Sequence, residues 1–227
     1  EIVSRDWSSD VCSSDLGSVY SADEIKALGD VCVEKGVLIM SDDIYEKLLY
    51  DGAEFTSVTG FSGEHKAHTI IVHGLAKAYS MTGWRIGFLA APKPIAQAIN
   101  AVQSHSTSNA TSFAQKGAVA ALNGPQDHLD DWLAKFDERR RYAAERLNNM
   151  PGISCINSKG AFYLFPNMAE TGLKSAEFCE RLLDQAKVAA VPGIAFGADN
   201  NFRISYATSM ENIQTGMARL EDFCKTL

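Results

Sequence analysis

The sequence predicts an α/β protein: a mostly parallel sheet with flanking helices, then a smaller α+β unit. Three observations carry that prediction. Residues 37–40, 69–73 and 85–90 are short, largely apolar runs of the kind buried in a parallel sheet. Helical patterns alternate with them. After Pro151-Gly152 the alternation gives way to short strands and amphipathic helices in mixed order.

The elements follow in chain order. Residues 1–16 have neither helical nor strand periodicity. The string Asp6-Trp7-Ser8-Ser9-Asp10-Val11-Cys12-Ser13-Ser14-Asp15-Leu16 resembles the translation of a sequencing-adapter oligonucleotide, so 1–16 is set aside as a read-assembly artefact. Ser21-Ala22-Asp23-Glu24 is a capping box that opens a helix to about residue 35, where Gly36 stops it. Pro94 opens a helix to about 103, a second spans 112–122, and a third, long one spans 126–149. Arg139-Arg140-Arg141 on that helix reads as a solvated face. Beyond the Pro-Gly break, 153–156, 161–165, 188–191 and 202–206 read as strands, and 174–187 and 211–225 as helices. The expected domains are therefore 17–145 and 146–227, with the boundary inside the long helix.

Bulk numbers narrow the function. With 227 residues, 46% of them hydrophobic, the chain has room for one large domain or two small ones and a sizeable core. A net charge of −7 argues against a nucleic-acid surface. No apolar run approaches the roughly 20 residues of a membrane span, and the start lacks the order of a signal peptide. Five scattered cysteines without metal or paired spacing suit a reduced, cytoplasmic protein that holds no metal.

The chemistry concentrates at Gly74-Leu75-Ala76-Lys77-Ala78-Tyr79-Ser80-Met81-Thr82-Gly83-Trp84-Arg85. A lysine at a strand end can be desolvated, which favours the neutral amine that forms an imine. An arginine close by can fork onto a phosphate. Together Lys77 and Arg85 suggest pyridoxal phosphate. Taken alone, the two are more simply a surface pair flanking a turn. Asp42 ends the strand-like run before them and suits a cofactor's protonated ring nitrogen. Tyr45 could reach a ring hydroxyl. Alone, that Asp-x-x-Tyr is more simply a capped turn. Phe162 and Tyr163 read as core strand residues, and His68 and His73 as structural histidines.

Five motifs then carry a resemblance. They are Ser41-Asp42-Asp43-Ile44-Tyr45-Glu46, the Lys77–Arg85 segment, Gly160-Ala161-Phe162-Tyr163-Leu164-Phe165-Pro166, Val191-Pro192-Gly193 with Phe196-Gly197, and Phe202-Arg203-Ile204-Ser205-Tyr206-Ala207. In order and spacing the chain from Gly17 onward resembles the class I/II aminotransferases of pyridoxal-phosphate fold type I, especially the bacterial aspartate aminotransferase branch. The resemblance implies the C-terminal part of that fold's large domain, followed by its small domain. It implies Lys77 as the imine lysine and proton carrier, Asp42 as the partner of the ring nitrogen, Tyr45 as ligand of the ring oxygen and Arg85 as a phosphate ligand. It implies Arg203 as the fork for the substrate α-carboxylate. From the residues alone, a buried arginine paired inside a small domain fits Arg203 equally well. The implied reaction moves an amino group between an amino acid, with aspartate as the first choice, and a 2-oxo acid, in a cytoplasmic homodimer. A lyase or synthase on the same scaffold, or an aminotransferase-like sensor domain of a transcription regulator, are the alternatives.

The chain also departs from the family. Where the family carries an Asn-Pro-x-Gly whose asparagine binds the ring oxygen, Ser13-Ser14-Asp15-Leu16 stands here, just before Gly17. The part of the large domain with the phosphate loop, the ring-stacking aromatic and part of the dimer interface has no counterpart. A single arginine cannot replace backbone donors at a helix N-terminus. The chain is therefore expected to be an inactive, aggregation-prone piece of an aminotransferase.

Overall fold

The computed structural model describes residues 13–227. The adapter-like string through Cys12 lies outside the described residues. Its remainder, Ser13–Leu16, forms one tight helical turn. The chain divides into two compact units. One is Tyr20–Asp131; the other joins the residues up to Val19 with Trp132–Leu227.

In the 20–131 unit, Ser21 starts α1 (Ala22–Glu34) with the capping box the sequence predicts. Glu24 N–H donates to Ser21 Oγ at 3.3 Å, and Ser21 N–H donates to the Glu24 carboxylate at 2.8 Å. Three strands follow: β1 (Ile39–Asp42), β2 (Thr69–Gly74) and β3 (Gly87–Ala90), in the order β1-β2-β3. The short helix α2 (Gly63–His68) precedes β2 and has no counterpart in the sequence reading. β1 and β2 are parallel, Ile39 opposite Thr69 and Asp42 opposite Val72. β3 departs from expectation, running antiparallel to β2 with every residue exposed. The segment between Gly74 and Gly87 holds no crossover helix, and a strand that returns without one returns antiparallel. The two strands meet where a Cβ on Gly87 would lie 2.9 Å from the His73 carbonyl oxygen, so that position requires glycine.

α3 (Lys93–Ser106) and α4 (Ser112–Asn123) complete this unit. Its core sits directly under the Lys77 segment. Leu75, Ala78, Tyr79 and Ala118 are buried together, with Met81, Ile86, Ala121 and Leu129 packed on them. Tyr79 Oη donates to Gln126 Oε1 at 2.9 Å, and Gln126 Nε2 donates to the Ala121 and Gly124 carbonyls.

The long helix α5 (Asp127–Asn148) holds the division. The units part at Asp131/Trp132, one turn in, where the sequence placed the boundary near 145. Packing is the reason. Arg140, Ala143, Ala144 and Leu147 are buried. Arg140 Nη1 donates to the Ser158 carbonyl at 2.6 Å, tying most of the helix to the C-terminal residues. The basic triplet is thus only partly a solvated face: Arg141 is exposed, but Arg140 is a core residue bound to Asp137 at 2.6 Å.

The C-terminal unit has an antiparallel sheet of β4 (Tyr163–Leu164), β6 (Phe202–Ser205) and β5 (Val191–Pro192), with β6 central. α6 (Ser175–Arg181), prolonged by a wider turn to Ala186, and α7 (Met210–Cys224) cover it. Phe178 packs on Phe202 at 4.9 Å and edge-on to Phe223 at 5.4 Å. Three expected strands shrink. Residues 153–156 keep only a bridge between Ser154 and Asn167, because the Asn148 amide takes both Cys155 backbone groups at 2.8 and 2.9 Å. Residues 161–165 lose their start to a left-handed Ala161, φ 55. Residues 188–191 pair only at Val191–Pro192, where proline cannot extend the ladder. In the same unit the carbonyl of Gly17, a residue at φ +80, accepts two N–H donors, from Lys159 and Gly160.

Candidate active site

Asp42 is the last residue of β1. Its Oδ1 accepts the Ile44 N–H at 3.2 Å, a turn that carries the chain off the sheet edge. Asp43 N–H returns to the Val72 carbonyl at 2.9 Å, and Ser41 Oγ donates to Asp43 Oδ1 at 2.6 Å. The turn leaves the Asp42 carboxylate exposed and buries the Tyr45 ring. Burial raises the Asp43 carboxyl above its ordinary value, against the lowering influence of Ser41 and His73.

Lys77 follows the end of β2. Ser80 N–H donates to the Lys77 carbonyl at 3.0 Å, Met81 N–H to the Leu75 carbonyl at 3.1 Å, and Thr82 Oγ1 to the Ala76 carbonyl at 2.9 Å. This self-bonded loop stands on the buried Leu75, Ala78 and Tyr79. Lys77 Nζ lies 5.6 Å from the Tyr45 ring centroid, within the range of a cation–π contact. Arg85 stands just before β3 in a left-handed backbone, φ 52 and ψ 47. That conformation costs roughly 1–2 kcal/mol outside glycine and is the kind of strain that gathers at functional sites. Its guanidinium is exposed and donates to the Thr82 carbonyl at 2.9 Å.

The topology therefore brings Asp42, Tyr45, Lys77 and Arg85 to one sheet edge. It is the carboxyl edge of the parallel β1/β2 pair, where α/β sheets bind ligands. The donor set is an amine, a carboxylate, a phenol and a guanidinium. It fits an aldehyde cofactor with a basic ring nitrogen, a ring hydroxyl and a phosphate.

Sequence reasoning passed over one pair on this edge. His73 Nε2 lies 3.2 Å from Glu46 Oε1, and the imidazole stacks on Phe88 at 5.1 Å and 7°. The Glu46 hydrogen bond raises the His73 pKa and lowers that of Glu46, with burial opposing in both. The available signal was Glu46 closing the motif that begins at Ser41. His68 is structural, its Nδ1 2.8 Å from the Glu64 carbonyl oxygen.

Arg203 belongs to the C-terminal unit, on β6. Its guanidinium carbon lies 4.4 Å from the Tyr163 ring centroid and 4.7 Å from that of Phe196. Nη1 donates to the Asp15 carbonyl at 3.4 Å. Among the described residues no carboxylate forms a salt bridge with it. Tyr163, expected as a core residue, is instead half-buried and holds this guanidinium.

Among the described residues no helix is long and apolar enough to cross a membrane, and no cluster of three or more His, Cys, Asp or Glu could hold a metal. Cys32, Cys155, Cys179 and Cys224 are unpaired. Burial pushes the thiols of Cys155 to about 12 and of Cys179 and Cys224 to about 11, so these three stay protonated and unreactive.

The fold is that of the C-terminal part of a fold type I pyridoxal-phosphate enzyme. The chain belongs to the class I and II aminotransferase family, whose model matches residues 10–220. It is 47% identical to an aspartate aminotransferase of Geobacillus stearothermophilus over 216 residues, covering 93% of this chain and 55% of that protein. Over 216 residues it is 44% identical to an aspartate aminotransferase of Bacillus subtilis. The solved aspartate aminotransferase of Rhizobium meliloti superposes with a TM-score of 0.88 at 38% identity, over 92% of this chain and 55% of that one. The chain thus spans about 55% of the length of these relatives.

Proposed function

We propose that the chain carries the lysine-bearing part of a pyridoxal-phosphate site that transfers an amino group between aspartate and a 2-oxo acid. The observation that carries this reading is Lys77 Nζ over the Tyr45 ring, on the strand edge that Asp42 ends. When bound, pyridoxal phosphate supplies an aldehyde that condenses with amines and a ring that accepts the electron pair left at the substrate Cα. Lys77 anchors the cofactor through its amine. Freed by the substrate, that amine would take the proton from the substrate Cα as general base and deliver it to the cofactor's aldehyde-derived carbon as general acid. The Asp42 carboxylate keeps the ring nitrogen protonated. The Tyr45 phenol donates to the ring oxygen, and Arg85 forks onto the phosphate. Arg203, held between two aromatic faces, grips the substrate α-carboxylate.

Aspartate is favoured because the relatives at 47 and 44% identity are aspartate aminotransferases. A homodimer in the cytoplasm is the setting proposed for the whole enzyme. The chain by itself is proposed to be inactive, since Arg85 is the only anion ligand assigned to the phosphate and Ser13-Ser14-Asp15-Leu16 stands in place of the family's Asn-Pro-x-Gly.

The test joins this chain to the N-terminal part of the Geobacillus relative and assays amino transfer from aspartate to 2-oxoglutarate. The joined protein should be active, its Lys77→Ala variant inactive, and the chain alone inactive. Unchanged turnover in Lys77→Ala would overturn the assignment.

A further inference from the structure

His73 Nδ1 faces both backbone groups of the next residue. The Gly74 N–H donates to it at 2.7 Å, and the Gly74 carbonyl oxygen lies 3.1 Å away. One nitrogen cannot serve both. As an acceptor Nδ1 must be bare, which puts the neutral ring's proton on Nε2, facing Glu46 Oε1 at 3.2 Å. As a donor, in the imidazolium, it turns from the Gly74 N–H to the Gly74 carbonyl. Gly74 is the last residue of β2, and its carbonyl leads into the loop that carries Lys77.

We propose that His73 is a positioning residue for Lys77, its protonation exchanging the bond from the Gly74 N–H for one to the Gly74 carbonyl and so resetting the start of the Lys77 loop. The inference rests on the reading of Lys77 as the cofactor lysine.

Three features make the exchange effective. Phe88, stacked flat on the imidazole, keeps the ring from turning away. Gly74 and Gly87 meet closely, since a Cβ on Gly87 would lie 2.9 Å from the His73 carbonyl oxygen and one on Gly74 a tight 3.3 Å from that of Ile86, and glycine lets the peptide adjust. Glu46 lies one residue beyond Tyr45, so the pair ties the Asp42–Tyr45 turn to the Lys77 loop. The charged neighbours all come from the segment after β1. Glu46 and Asp43 both favour the imidazolium, and Lys47, 3.7 Å from Glu46, competes for the carboxylate. β3 contributes only the uncharged Phe88. The groups facing His73 thus hold its titration above the ordinary value of 6.5, Glu46 foremost.

The experiment follows the full chain by NMR, labelled at glycine and histidine, across the His73 titration. The Gly74 amide should shift with the His73 midpoint, and Glu46→Gln should move both together toward the ordinary histidine value. In parallel, the rate at which pyridoxal phosphate forms an imine at Lys77 should show a step at the same midpoint. That step should move with Glu46→Gln and vanish in His73→Gln. The amides of Gly29 in α1 and Gly117 in α4, both in the 20–131 unit, report whether each variant stays folded; if Glu46→Gln does not, the comparison of His73→Gln with the parent chain decides. A Gly74 amide indifferent to His73, or an imine step unmoved by either substitution, would overturn the inference. Imine formation that survives Lys77→Ala would sink the cofactor-lysine reading and the inference with it, a result distinct from an imine on Lys77 that ignores His73.

Discussion

In the C-terminal unit Phe178, Phe202, Leu164 and Leu220 have no exposed surface at all, whereas in the 20–131 unit Met40, Val102 and Phe113 are 73, 72 and 68% exposed. The first unit closes two helices over a small sheet. The second has a sheet whose β3 is exposed throughout and a helix, α3, with no buried residue. The residues proposed to face the cofactor nevertheless stand on the second unit. Its Lys77 loop is held by a local cluster around Leu75 and Tyr79 and by its own hydrogen bonds, while the surrounding apolar faces stay in water. The unit with the larger buried core carries one functional candidate, Arg203. Packing completeness and chemical content are thus distributed oppositely in this chain.

Four experiments would break or sharpen that contrast. The largest effect is expected from Phe178→Ala, which empties a fully buried site and should cost about 3–5 kcal/mol. Phe113→Ala, at an exposed site, should change stability by less than about 0.5 kcal/mol. Urea unfolding of both variants decides; equal losses would erase the contrast.

Next comes Gly193→Ala, whose Cβ would lie 2.2 Å from the Ala198 carbonyl oxygen and 2.3 Å from that of Asn201. Overpacking of this kind costs about 1–3 kcal/mol. Gly60→Ala, with open space around it, should be near neutral in the same assay.

Ser21→Ala removes an exposed capping box and should cost about 1 kcal/mol, seen as lost helicity in the 20–131 unit alone.

The smallest effect expected is on pH. All five histidines lie at or before His128, so none is in 132–227. His73 has a raised pKa, so its contribution is complete below about pH 6.5 and is lost as pH rises through the raised value. Glu46 has a lowered pKa, so its share is present above about pH 4.5 and is lost as pH falls through the lowered value. Asp43, raised chiefly by burial, works against Glu46 on that acid side. The alkaline limb is therefore the clean one. As pH rises through the His73 value but stays below 9.0, the ordinary value of the buried thiols, the 20–131 unit should lose stability, His73→Gln should flatten the loss, and the C-terminal unit should show none.

Much of this was legible in the residues. The Ser21–Glu24 box, the proline-led α3 and the long α5 carry local signals that no tertiary contact overrides. The edge with Asp42, Tyr45, Lys77 and Arg85 was legible because each residue sits at a strand end, where topology alone groups them. The direction of β3 was hidden because apolar content does not encode strand polarity. The 153–156 strand failed because one side chain, Asn148, took the backbone groups a ladder would have used. The division at 131/132 depends on Arg140 reaching Ser158, a long-range bond without a local signature. His73 read as a structural histidine because its pairing with Glu46 arises only when the fold brings the two side by side.

Which lysine accepts pyridoxal phosphate can be measured by incubating the chain with the cofactor, reducing with borohydride and mapping the modified peptides. The label should concentrate on Lys77 and disappear in Lys77→Ala without moving to another lysine. A label spread over the other lysines, or centred on one of them, would contradict the placement of the site on the edge shared by Asp42, Tyr45 and Arg85.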